Sequence, residues 1–156
     1  MKKKILAVLT ALTICLSGVW STGLETRAED IGEDIDFSYL QTDSALIGYI
    51  ESQTWGVYLA SGYSIINKIS TTKIGAGGVT NAAVKCKVAV CPIVEKKVNG
   101  SWVYVTSWTV TESSDYSAMA SKSITVGTGY YYRVRCTHYA ASDVSSSWTG
   151  ALWMGN

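Results

Sequence analysis

The chain has 156 residues, 47% of them hydrophobic and only 16% charged, with 13 Lys and Arg against 12 Asp and Glu. This length accommodates one domain with its own core, and the near-balance of charge excludes a polybasic nucleic-acid-binding protein. One histidine and four cysteines, with no Cys-x-x-Cys pair, leave a structural zinc site short of ligands, and no cofactor is expected.

In chain order, Lys2, Lys3 and Lys4 precede an apolar run from Ile5 to Trp20, shorter than the roughly 18–20 residues a membrane-spanning helix needs. Thr26-Arg27-Ala28 then puts small residues at the two subsites a signal peptidase reads, with Glu29-Asp30 directly after. Together these predict a bacterial signal peptide over residues 1–28, cleaved after Ala28, and a secreted, extracellular product. Cys15 follows Ile14, which is too large to precede a lipidated cysteine. Without the signal, nine basic residues face eleven acidic ones, a net charge of −2, and no other apolar run approaches spanning length. Three cysteines remain, Cys86, Cys91 and Cys136. They allow at most one internal disulfide and leave one thiol, for which burial is expected ahead of pairing with another molecule.

The carboxylate-rich stretch over residues 29–36 reads as a solvated, flexible leader. Residues 37–156 read as a single all-β domain, an antiparallel β-sandwich. Val, Ile, Thr, Tyr and Trp are abundant there, helical periodicity is missing, and Gly and Ser recur at the spacing of sandwich turns. Strands are predicted at Ser64–Ser70 and Ala83–Val94. Between them, Ile74-Gly75-Ala76-Gly77-Gly78 reads as a loop or bulge, and it lacks the Gly-Lys-Ser/Thr ending of a phosphate-binding loop. Asn99-Gly100 predicts a tight hairpin turn between Ile93–Val98 and Ser101–Val105, because both residues tolerate positive φ. The strand that starts here is expected to carry Trp102 to Val110 on alternating faces, and after Trp108–Thr111 a polar turn is expected at Glu112–Asp115. Strands follow at Ser117–Val126, Tyr130–Tyr139 and Ser147–Met154.

The segment Val126-Gly127-Thr128-Gly129-Tyr130-Tyr131-Tyr132-Arg133-Val134 resembles the entry to the sixth strand of immunoglobulin-like and fibronectin type III sandwiches. That resemblance implies a Tyr132 hydroxyl bonded back to the preceding corner. From about Asp36 onward the chain also resembles a family of small secreted proteins of unknown function from anaerobic Gram-positive bacteria. The likeness is carried by Trp55-Gly56-Val57-Tyr58-Leu59, Gly100-Ser101-Trp102, Ser107-Trp108-Thr109-Val110, Tyr131-Tyr132-Arg133-Val134-Arg135 with His138, and Ser146-Ser147-Trp148-Thr149. It implies no activity.

Strand alternation places Tyr131, Arg133, Arg135 and Tyr139 on one face, and sets Lys85 and Lys87 opposite Val84, Cys86, Val88 and Val90. The third and sixth strands of such sandwiches are neighbours. Lys85, Lys87, Arg133 and Arg135 are therefore expected on one outer face, flanked by Tyr131 and Tyr139. That face is either the wet side of a half-exposed sheet, the more ordinary outcome, or a binding surface for anionic groups. Trp102, Tyr104 and Trp108 fall together by the same alternation. They form either core, the favoured expectation, or a platform for sugar rings. Trp148 and Trp153 are expected to point in opposite directions.

Support for catalysis is thin. Cys136 and His138 share a strand face about 7 Å apart, too far for direct proton transfer. Asp143 would orient His138 if the pair were catalytic, but a satisfied structural histidine is expected. Asn99-Gly100-Ser101 fits a glycosylation sequon by chance. The sequence thus points to a secreted non-catalytic binding protein whose partner is an anionic envelope polymer, glycan or lipid headgroup. A secreted antibacterial or membrane-active toxin is the alternative.

Overall fold

The computed structural model describes residues 44–50 and 56–155. The expected export signal, its cleavage site, the acidic leader and Trp55 lie outside the described residues. Within them the regular elements are all strands: β1 (Leu46–Tyr49), β2 (Leu59–Ser70), β3 (Lys73–Val98), β4 (Ser101–Ser107), β5 (Val110–Thr125), β6 (Tyr130–Ala140), β7 (Asp143–Trp148) and β8 (Leu152–Met154). No described helix is long and apolar enough to cross a membrane.

The organising element is β3, a strand of 26 residues. It ends at the expected hairpin, where Asn99 (φ 50) and Gly100 (φ 83) both adopt the left-handed conformation of a type I′ turn. From there β4 and then β5 run back along one edge of β3, from Val98↔Ser101 to Lys73↔Thr125. Its other edge is divided. β2 pairs with Lys73–Ala82, and β6 pairs with Val88–Lys96. β1 adds to β2, and β7 and β8 both add to β6, every pair antiparallel.

Between its two partners β3 bends. The β3–β5 register slips on either side of Cys86, and Ala83, Val84, Lys85 and Lys87 are exposed there. Local register slips of this kind kink and twist a strand. The bend turns β2 and the first part of β3 to face β6 and β7, so that Gly62 lies against the His138 ring and Gly78 against Cys136. At the far edge Gly48 of β1 meets the Trp148 carbonyl of β7. The class is all-β and antiparallel, as expected. Its facing halves belong to one curled sheet, because β3 runs through both.

Two sequence expectations need correction. Ile74–Gly78 is no loop; it lies within β3 and is buried, and the β2–β3 connection is Thr71–Thr72. Gly77 and Gly78 serve close approach. A Cβ on Gly78 would fall on Cys136 Sγ and 2.8 Å from the Tyr63 carbonyl, and one on Gly77 would fall on the Ala120 carbonyl. Glu112–Asp115, expected as a turn, is part of β5 beside the β3 bend. Polar composition there reflects an exposed strand.

The core between the halves contains Ile66 and Ile74 from one side and Val88, Val90, Val94, Val134, Tyr132 and Met154 from the other. Full burial of each aliphatic side chain contributes about 1.5–3 kcal/mol. The Tyr132 hydroxyl donates to the Gly127 carbonyl at 2.9 Å, which is the tyrosine corner implied by the sequence resemblance. It fixes the start of β6, and with it the face on which Tyr131, Arg133 and Arg135 appear.

Candidate binding face

Antiparallel pairing puts directly opposed residues on the same side of a sheet. On the outward side of β6, Tyr131 opposes Trp153, Arg133 opposes Glu95, and Arg135 opposes both Ile93 and Trp148. Across the hairpin Lys97 opposes Trp102 and Glu95 opposes Tyr104. One outer face of β4, β3, β6, β7 and β8 therefore collects Trp102, Tyr104, Tyr131, Trp148 and Trp153 around Lys97, Glu95, Arg133 and Arg135.

The charges on this face are organised by Glu95. Its Oε2 accepts from Arg133 Nε at 2.7 Å, and its Oε1 lies 3.6 Å from Arg135 Nε. Held in this way, the Arg133 guanidinium sits 4.3 Å from the Trp102 ring centroid, with Lys97 Nζ at 5.8 Å from the same ring. Cations over an indole face are attracted by its quadrupole. Tyr131 and Trp153 stack beside them, centroids 4.9 Å apart and planes tilted by 51°. At the strand end Lys96 Nζ lies 4.4 Å over Tyr130. Trp148 and Trp153 are 46% and 47% exposed, so each ring keeps part of its surface open to solvent.

The sequence-derived sites are only partly brought together. Arg133, Arg135 and Tyr131 share this face with Trp102 and Tyr104. Tyr139 is exposed further along β6, opposite Ala89 and Val144. Lys85 and Lys87 sit instead at the bend of β3, where the Lys87 carbonyl accepts from Ala141 N at 2.9 Å. Lys87 is roughly 20 Å along β3 from Ile93, the partner of Arg135, at about 3.3 Å per residue. The expected four-cation cluster does not form. Register separates the pairs, and the expected alternation fails at the bend, where Ala83, Val84 and Lys85 are all exposed.

Trp108 is also displaced from the expected stripe. Between the pairs Glu95↔Tyr104 and Val94↔Thr106 the outer strand carries an extra residue, Val105, and this bulge reverses the alternation. Trp102 and Tyr104 stay outward, contrary to the favoured core reading, and Trp108 turns to pack against the core with Lys122 Nζ 5.4 Å over its ring. A second bulge corrects the reading of Trp148 and Trp153. One extra residue lies between the pairs Arg135↔Trp148 and Tyr132↔Leu152, so both tryptophans emerge on one side. Thr149 bridges this gap. Its N–H donates to the Val134 carbonyl at 2.9 Å, and its hydroxyl oxygen accepts from Val134 N–H at 3.1 Å.

The inward side of β6 holds the remaining chemistry-bearing residues. His138 is fully buried. Thr80 Oγ1 donates its one proton to the Ala89 carbonyl at 3.0 Å, so it accepts from His138 Nδ1–H at 2.8 Å. That network leaves Nε2 to accept from the Ser147 hydroxyl at 2.8 Å, and it assigns the neutral Nδ1–H tautomer. Burial lowers the imidazole pKa to about 4. Cys136 is buried beside it, its thiol donating to the Gly77 carbonyl at 3.5 Å, and burial pushes the thiol pKa up. Asp143 does not orient His138; its Oδ2 accepts from the backbone N–H of Tyr58 at 2.6 Å and of Leu59 at 3.0 Å. Cys86, Cys91 and Cys136 are all free thiols.

No family model and no curated protein matches the chain. Among solved structures it is similar to the solution structure of R. palustris CsgH, 10% identical, over 65% of this chain and 87% of that one, with a TM-score of 0.33. A likeness at that level carries no argument about fold or function.

Proposed function

We propose that the protein is exported and acts without chemistry of its own, binding an anionic polymer, glycan or lipid headgroup of the cell envelope or extracellular space. The observation that carries this reading is the outer face where Glu95 fixes Arg133 over Trp102 beside the Tyr131–Trp153 pair. Flat aromatic rings half open to solvent, interleaved with cations whose positions are set by a carboxylate, form a surface prepared for a ligand with both apolar faces and negative charge. Cys136 and His138 are used up in the core, each bonded to structural partners, and this too favours a role in binding.

Retention of the purified protein on isolated bacterial cell walls and on anionic liposomes tests the proposal. Changing Arg133 and Arg135 together to Glu should abolish retention; unchanged retention would overturn it. Release of dye from the liposomes by the unaltered protein would favour the membrane-active toxin instead, since a binding protein should attach without leakage.

A further inference from the structure

We infer that the ligand of this face is an acidic polysaccharide, with Arg133 and Arg135 taking its anionic groups and Trp153 and Trp148 its sugar rings. This rests on the proposed binding role and narrows it to one ligand class.

Glu95 positions both arginines. It engages both at Nε, at 2.7 Å and 3.6 Å. A guanidinium carries five N–H donors, four of them on the Nη groups. One carboxylate thus sets two planar forks at their inner edges, two positions apart on one strand, with a hydrogen bond to Arg133 and an ion pair to Arg135. Such a fork matches a carboxylate or phosphate bidentately and stays charged at every physiological pH. One carboxylate against Lys97, Arg133 and Arg135 leaves the patch positive on a chain that is close to neutral as a whole. The charge is concentrated where the aromatics are.

Spacing supplies the second half. Trp153 and Trp148 oppose Tyr131 and Arg135, so they are about 13 Å apart along the strand direction. That span exceeds one sugar ring, and Arg133 lies between the two positions on β6. A polymer that alternates flat pyranose faces with carboxylate or phosphate groups meets both features at once. A polyanion without rings would use only the forks, and an uncharged glycan only the tryptophans.

Affinity electrophoresis of the purified protein tests this with two acidic polymers, polygalacturonate and phosphorylated dextran. Each is run beside its uncharged counterpart, methyl-esterified polygalacturonate or plain dextran. Polyglutamate, single-stranded DNA and phosphatidylglycerol vesicles provide anions without sugar chains or on other scaffolds. At least one acidic polysaccharide should bind ten-fold or more tightly than its uncharged counterpart and than polyglutamate. Arg133→Gln with Arg135→Gln should lose that ten-fold margin, Trp153→Ala should weaken binding several-fold, and Lys85→Gln with Lys87→Gln should change nothing. Thermal unfolding of each variant confirms the fold. No binding to either acidic polymer, or equal binding to polyglutamate, DNA or vesicles, overturns the inference. Equal binding of charged and uncharged polymers that Trp153→Ala weakens would end the acidic specificity while leaving the face as the binding surface. Cell-wall retention indifferent to all these variants would remove the binding reading itself.

Discussion

Lowering the pH should destabilise this protein through a single side chain. His138 is the only histidine of the chain, and it is buried as a neutral imidazole between Thr80 and Ser147. Its pKa falls from the ordinary 6.5 to about 4 because burial penalises the charged form. The unfolded chain therefore binds a proton before the folded one does. Stability is complete above pH 6.5 and declines as the pH falls towards 4, by about 1.4 kcal/mol per pH unit. Across that window the loss is about 3 kcal/mol, a large part of the 5–15 kcal/mol typical of a domain. Urea unfolding at intervals from pH 7.5 to 4 measures it, with His138→Leu as the reference. The variant should be less stable at pH 7.5, since Ser147 loses its partner, but it should lack the histidine-dependent slope. Carboxylates titrate in both proteins and cancel in the difference. An unchanged difference between the two proteins across this window, or an imidazole that titrates above pH 6 by NMR, would refute the reasoning.

Other substitutions test the scaffold around the face. Tyr132→Phe removes the hydroxyl that bonds Gly127 and should cost about 1 kcal/mol in urea unfolding, with the ring still packed. Gly78→Ala should cost on the order of 3 kcal/mol by overpacking against Cys136 and the Tyr63 carbonyl. Gly100→Ala has open space around it, so it should cost only the about 1–2 kcal/mol of a left-handed backbone. A larger loss for Gly100→Ala would contradict this ordering. Asp143→Ala strips the acceptor of two backbone N–H groups and should lower stability by about 2 kcal/mol. Faster hydrogen exchange at Tyr58 and Leu59 is the direct readout.

Much of this architecture is legible in local signals. The Asn99-Gly100 turn, the Tyr132 corner and the alternation of β6 each depend on a few adjacent residues, and each has the expected form. The failures share a cause, since they depend on which residue of a distant strand lies opposite. Val105 and the Thr149–Ala151 connection each insert an extra residue, and period-two alternation carried through a bulge assigns the next tryptophan to the wrong side. Lys85 and Arg135 both fall at charged alternate positions of the sequence, but only the register of β3 on β6 reveals their separation along the strand. Gly75, Gly77 and Gly78 read as a break because glycine is a poor strand former. The role of Gly77 and Gly78 appears only when Ala120 and Cys136 are seen to occupy the space a side chain would need. The role of Glu95 had no sequence signal, because its two partners are 38 and 40 residues away.

The divided edge of β3 also constrains how the chain can fold. Its hairpin with β4 and β5 can zip outward from Asn99-Gly100 with loops that lengthen gradually, and each step is inexpensive in loop-closure entropy. β2 and β6 must then dock on opposite halves of the same strand, and neither half has a complete core until both arrive. A fragment ending before β6 would leave Val88, Val90 and Val94 uncovered, and one beginning after β2 would do the same to Ile74 and Ala76. Because one strand belongs to both halves, they should unfold in a single cooperative transition. Circular permutation that opens the chain within Lys73–Val98 should therefore be the cut that this fold tolerates least.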